Sequence, residues 1–87
     1  MIMVYDVNVK RVAKVLKTSR RYLLWVQNSV FEGDITQGKL NALKSELSSI
    51  INNAEDSVIF YVCPNKHSTQ RECIGMNKEF IDDFGLI

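Results

Sequence analysis

The sequence predicts an α+β domain in which two helices lie on one face of an antiparallel sheet. Three observations carry that expectation. The chain opens on an apolar run, Met1 to Tyr5, closed abruptly by Asp6. Two stretches, at about 9–21 and 36–52, repeat apolar residues at helical spacing. Between and after them lie runs rich in β-branched and aromatic residues, Tyr22 to Gly33 and Ser57 to Cys63. The order is strand, helix, hairpin, helix, strand. Eighty-seven residues, 46% of them hydrophobic, suit one small folded domain and leave no room for a second core.

Each element has a local reason. Met1 to Tyr5 reads as a strand buried on both faces, and Asp6 ends it at the entrance to a helix. A carboxylate there either caps the turn or marks a site held by the strand and open to solvent. Asn8 is a good N-cap for a helix to about Arg21, with Val9, Val12, Ala13 and Leu16 as its core stripe. Tyr22 to Gly33 is long for one strand. Asn28 tolerates a left-handed backbone, so a tight hairpin there is preferred to a single bulged strand. Phe31 and Trp25 read as core or interface residues, with a base-stacking platform as the alternative.

Gly33-Asp34 makes a turn, and Thr36 caps the second helix, with Ile35 and Leu40 as a hydrophobic staple. Leu40, Leu43, Leu47, Ile50 and Ile51 form its buried stripe. Ser57 to Cys63 is a strand apolar on both faces. Pro64 to Gln70 reads as a polar loop, with His67 at its surface, and Arg71 to Gly75 as a further short strand. The pattern is a ferredoxin-like βαββαβ sandwich over residues 1–75 with an extra C-terminal strand. Residues 76–87 form a tail whose apolar Phe84, Leu86 and Ile87 point to docking. Two helices cover one sheet face. The apolar second face therefore predicts a homodimer stacked sheet on sheet.

Charge and cysteine content narrow the function. The net charge is +1, yet no acidic residue lies between Asp6 and Glu32, an interval holding Lys10, Arg11, Lys14, Lys17, Arg20 and Arg21. Lys10, Lys14, Lys17 and Arg21 fall in one row about 17 Å long, enough to meet several phosphates of a polyanion. A merely solvated helix face is the plainer reading. Cys63 and Cys73 are too few for a zinc ribbon or a disulfide framework and read as core or strand residues in a reducing cytoplasm. The apolar runs are too short to span a bilayer, and the first strand begins at Met1 with no basic leader, so a cytoplasmic protein with no membrane partner is expected.

Val4-Tyr5-Asp6, the basic first helix and above all Gln27-Asn-Ser-Val-Phe-Glu-Gly33 together resemble the CRISPR-associated Cas-two family. Asp56-Ser-Val-Ile-Phe-Tyr61 and Ile74-Gly75 extend the likeness over nearly the whole chain. The resemblance implies a ferredoxin-like homodimer whose C-terminal strand crosses to the partner's sheet. It implies a partner, the Cas-one integrase, and a role in capturing foreign DNA as new spacers. For some members it also implies metal-dependent nuclease activity on DNA or RNA. By the same resemblance Asp6 takes the place of the family's strand-end aspartate, with Tyr5 its companion aromatic. Lys14 to Arg21 would meet nucleic acid, and Ser29 and Phe31 match the strand motif.

One carboxylate per chain is a sparse metal site, since Mg²⁺ binds through one or two carboxylates and keeps its waters. A twofold axis near both copies of Asp6 would let them share one Mg²⁺ or Mn²⁺. Three functions remain: a dimeric scaffold gripping duplex DNA with its integrase, a metal-dependent endonuclease of DNA or single-stranded RNA (toxin-like ribonucleases of similar fold included), and a small-ligand regulatory domain. The basic row, with Arg20 beside it, argues against the third.

Overall fold

The computed structural model describes residues 1–65 and 68–77. Seven elements follow in order: β1 (Ile2–Asp6), α1 (Val9–Ser19), β2 (Leu24–Gln27), β3 (Val30–Glu32), α2 (Gln37–Ile50), β4 (Ser57–Asn65) and β5 (Ser68–Gly75). One antiparallel sheet has the order β2-β3-β1-β4-β5, which is the ferredoxin-like arrangement with β5 added beside β4.

The side-chain caps lie where the sequence places them. Asn8 accepts a hydrogen bond from the Lys10 N–H at 2.9 Å, and Thr36 accepts one from the Lys39 N–H at 3.2 Å. Asn28 has φ of 41°, so the hairpin turns on a left-handed residue, with a bulge between Trp25 and Gln27. Met3, Tyr5, Phe31, Val58 and Phe60 meet Val15, Leu40, Leu43 and Leu47 in the core. On the sheet face turned from the helices, Val4 and Ile59 form a smaller cluster with Tyr61 and Cys73. Ile2 and Leu24, in register with Glu32 between them, stay exposed.

Three expectations are corrected. Helix α1 is seated only partly as expected: Val12 and Leu16 pack against the core, but Val9 and Ala13 are exposed, while Val15 and Ser19 are buried. The cause is that polar residues occupy the inner face. Ser19 is small enough to sit beside the Met3 sulfur at 4.0 Å, and Arg11 reaches inward to an acidic partner. Helix α1 also ends at Ser19, earlier than expected, which takes Arg21 off the helical row. The expected loop at Pro64 to Gln70 is largely strand. There β4 extends past the end of β1, so only β5 flanks it, and the register shift between Val62 and Asn65 accommodates Pro64. Cys63 is a strand residue of β4, as one of its two readings had it, and is exposed. His67 and residues 78–87, and with them the docking expected of the tail, lie outside the described residues.

Candidate nucleic-acid interface and the Asp6 strand end

Asp6 is exposed at the end of β1, while Met3, Val4 and Tyr5 before it are buried. The strand is therefore fixed and its last carboxylate open. Asp6 lies in register with Ser57 of β4, and Ser57 with Gly75 of β5, so the three share one row across the sheet. Ser57 is fully buried, and its Oγ has no hydrogen-bond partner among the described residues. Gly75 closes the row because nothing larger fits: a Cβ there would lie 2.2 Å from the Asp56 carbonyl oxygen, and its φ is 77°.

Behind Asp6 stands a clamp that sequence reasoning missed. Asp56 is buried and accepts four hydrogen bonds: from the Asn8 N–H at 2.9 Å, the Asn52 N–H at 2.8 Å, and Arg11 Nε and Nη2 at 2.6 and 3.2 Å. Arg11 also pairs with Glu55 at 2.5 Å. The Arg11 guanidinium, then the two backbone donors, hold the Asp56 carboxyl at about 2, against the cost of burial. The same contacts raise the Arg11 pKa. Because Asn8 is two residues past Asp6 and Ser57 follows Asp56, this clamp fixes both sides of the Asp6 row. Its partners are 45 residues apart, so no local spacing announces it.

Tyr5 points into the core. Its hydroxyl donates to the Asn28 carbonyl at 3.4 Å, and burial pushes its pKa up. The Tyr5 N–H donates to the Ser29 carbonyl at 3.1 Å, which ties the hairpin turn to the strand end beside Asp6. Phe31 is fully buried, with its ring centroid 6.1 Å from that of Tyr5. Both aromatics support the site from within and present no ring to a ligand.

The cations divide into two groups. Lys10, Lys14, Lys17 and Arg20 are exposed, and none has an ion pair among the described residues. Arg21 is salt-bridged to Glu46 of α2, which also accepts from the Tyr22 hydroxyl. Those two donors lower the Glu46 pKa. The open row therefore runs from Lys10 to Lys17, about 10 Å at the helical rise. Arg20 lies beyond it, its guanidinium carbon 5.0 Å from the centroid of the Trp25 ring.

As a donor set for a metal, Asp6 offers hard carboxylate oxygens that suit Mg²⁺ or Mn²⁺, and Ser57, whose buried Oγ has no hydrogen-bond partner among the described residues, lies opposite it in register. No group of three or more His, Cys, Asp or Glu side chains among the described residues could hold an ion. The fit therefore needs few protein ligands, several waters and a second copy of Asp6. No helix among the described residues is long and apolar enough to cross a membrane.

Comparison with known proteins matches this architecture. The family model for CRISPR associated protein Cas2 matches residues 1–71. A CRISPR-associated endoribonuclease Cas2 of Thermotoga maritima is 54% identical over 77 residues, 88% of each chain. One from Dictyoglomus turgidum is 53% identical over the same coverage. One from Methanocaldococcus jannaschii is 48% identical over 82 residues, 94% of this chain and 72% of that protein. A solved crystal structure of Cas2 superposes with a TM-score of 0.71 at 46% identity, covering 77% of this chain and 76% of the other. A buried strand ending in an open aspartate, a basic first helix and a hairpin tied to both thus occur in a chain that belongs to the CRISPR associated protein Cas2 family.

Proposed function

We propose that this chain is the nucleic-acid-binding subunit of CRISPR spacer acquisition: a cytoplasmic homodimer that grips duplex DNA together with the Cas-one integrase and carries metal-assisted endonuclease activity at Asp6. The observation that carries the reading is the open row of Lys10, Lys14 and Lys17 on α1, whose first residue lies four positions from the exposed Asp6. Lysines without ion pairs are the chemistry that phosphate contacts use. The exposed Ile2 and Leu24 on the sheet face turned from the helices support assembly through that face. Light scattering should give a dimeric mass at micromolar concentration, and a monomer throughout would remove the shared-site part of the proposal.

Each residue has a defined task in this reading. The Arg11–Asp56 clamp holds the Asp6 turn, Tyr5 anchors the hairpin behind it, and the lysines hold the phosphate backbone. Asp6, with its copy in the second protomer and Ser57 Oγ in reserve, would hold Mg²⁺ or Mn²⁺. Such an ion, when bound, supplies positive charge for a developing phosphoryl oxygen and a more acidic water. A second reading, a stand-alone endoribonuclease, draws on the names of the relatives in Thermotoga maritima and Dictyoglomus turgidum, each a CRISPR-associated endoribonuclease Cas2.

Asp6→Asn tests both readings, because it keeps size and removes the negative charge. Binding of duplex DNA is expected at wild-type strength or slightly tighter, and any Mg²⁺- or Mn²⁺-dependent cleavage of RNA or DNA is expected to fall by orders of magnitude. Cleavage at the wild-type rate by highly purified Asp6→Asn would take Asp6 out of the chemistry. Loss of dimerisation instead would assign it a structural role.

A further inference from the structure

We propose that Trp25, with the Arg20 guanidinium lying on it, is a stacking platform for an unpaired base of a single-stranded nucleic acid. The proposal rests on the nucleic-acid-binding reading above and adds a residue that meets a base where the lysines meet phosphates. Trp25 and Phe31 are direct cross-strand partners, so both face the helix side of the sheet. Phe31 is 0% exposed and Trp25 48%. The difference follows from strand order: β3 lies inside the sheet and β2 at its edge.

The exposed indole is already oriented. Its Nε1 donates to the Asn28 carbonyl at 3.0 Å, the same carbonyl that takes the Tyr5 hydroxyl. The polar edge is thereby satisfied and the ring fixed, so stacking upon it costs little further ordering. The Arg20 guanidinium, 5.0 Å from the ring centroid, adds a second planar, cationic surface. Arg20 also lines a cleft of about 310 Å³ with Arg21, Tyr22, Leu24 and Asp34, where Asp34 and the Arg21–Glu46 pair leave Arg20 as the cation not engaged in an ion pair among the described residues.

Charge decides between a nucleic acid and a protein as the occupant. Leu24 and Val26 flank Trp25 and are exposed, as a protein interface would want. Tryptophan and arginine are common at protein interfaces too, but lysine is depleted there, and Lys17 stands one helical turn before the Arg20 that lies on the ring, continuing the row of Lys10 and Lys14. A fixed aromatic beside a track of cations without ion pairs is the combination that single-strand binding uses. Bases inside a duplex are stacked on each other and cannot use such a platform, so the surface selects unpaired segments.

Trp25 is the sole tryptophan, so its emission reports the site directly. The test titrates the full chain with an unstructured single-stranded RNA oligonucleotide, an abasic oligonucleotide of equal length and charge, and a blunt duplex. Trp25 fluorescence should be quenched by the first and not by the other two. By anisotropy of labelled RNA, Trp25→Leu should weaken binding about tenfold, within the range of one lost base stack. Its salt slope should be unchanged, and Trp25→Phe should restore most of the affinity. RNA binding without quenching, with Trp25→Leu equal to wild type, would overturn the platform and leave nucleic-acid binding standing. Equal quenching by the abasic strand, or emission that changes only with protein concentration, would also overturn it, the latter by assigning the ring to a protein interface. No binding of any of the three probes would overturn the underlying reading instead.

Discussion

Arg11 and Lys14 stand one turn apart on α1, yet their charges are in opposite situations. Arg11 turns inward, where Asp56 and Glu55 neutralise it and it neutralises the buried Asp56. Lys14 turns outward with no ion pair among the described residues. A buried, hydrogen-bonded ion pair resists loss of either partner, because the other charge is left stranded in low dielectric. An exposed cation contributes almost nothing to folding and is available to a polyanion. The basic interval is therefore two devices: one locks the turn that carries Asp6, and the other meets a ligand.

The clamp side of this contrast gives the largest expected effect. Asp56→Ala strands Arg11 and leaves the Asn8 and Asn52 N–H groups without their acceptor. A loss of about 3 kcal/mol or more is expected from urea unfolding at neutral pH. Lys14→Ala should stay within about 0.5 kcal/mol of wild type. Equal costs for the two would erase the distinction.

Acid separates the devices in a second way. The Asp56 carboxyl sits at about 2 in the folded chain, below its ordinary value of 3.8, so the unfolded chain takes up this proton first as pH falls. Its contribution is fully present above pH 4 or so and is lost as pH drops through about 2. Urea midpoints measured across that window should fall towards low pH and flatten in Asp56→Asn. They should not become flat, because Glu46 is also lowered by Tyr22 and Arg21 and acts in the same direction. A variant with the full wild-type acid sensitivity would show that the clamp is not what acid breaks.

The outward cations are tested by salt. Lys14→Gln combined with Lys17→Gln should reduce the log–log salt slope of duplex binding by about 1.8, or about 0.9 per phosphate contact, with stability unchanged. Arg11→Gln should do the reverse: lower the stability and leave the slope alone. If the slope follows Arg11 instead, the inward and outward assignments are exchanged.

What the sequence made legible and what it hid divide along the same line. Asn8, Asn28 and Thr36 act on backbone groups within three residues, or on their own φ, so type and position sufficed to place them. The apolar opening strand, buried on both faces at Met3, Val4 and Tyr5, and the Leu40, Leu43 and Leu47 stripe rest on short-range patterns and emerged equally well, although Ile2 is exposed. The seat of α1 was partly misread because hydrophobic spacing gives no weight to Arg11 or Ser19, and both face inward. Nothing near Asp56 in the sequence marks it as the acceptor of a clamp, since its partner is 45 residues away. Asp6 was placed at the strand end from the residues themselves, whereas the buried Ser57 across from it became visible only with the strand register.

The smallest expected effect is the most discriminating, because it converts one kind of cation into the other. Arg21 belongs by spacing to the row with Lys10, Lys14 and Lys17, but it lies past the end of α1 and is held by Glu46. Both side chains of that pair are substantially exposed, 58% for Arg21 and 37% for Glu46, so water screens it and releasing it should cost little stability. Glu46→Gln keeps an acceptor for the Tyr22 hydroxyl and removes the charge that detains Arg21. If Arg21 can then swing to the outer face, one more phosphate is met and the salt slope of duplex binding steepens by up to about 0.9. The double variant Glu46→Gln with Arg21→Gln should return the slope to that of wild type, and Glu32→Gln, which removes one exposed negative charge away from the pair, should leave it unchanged; together they assign the gain to Arg21. An unchanged slope in Glu46→Gln would mean that Arg21 faces α2 whether or not it is paired there. The nucleic-acid surface of α1 would then end at Arg20.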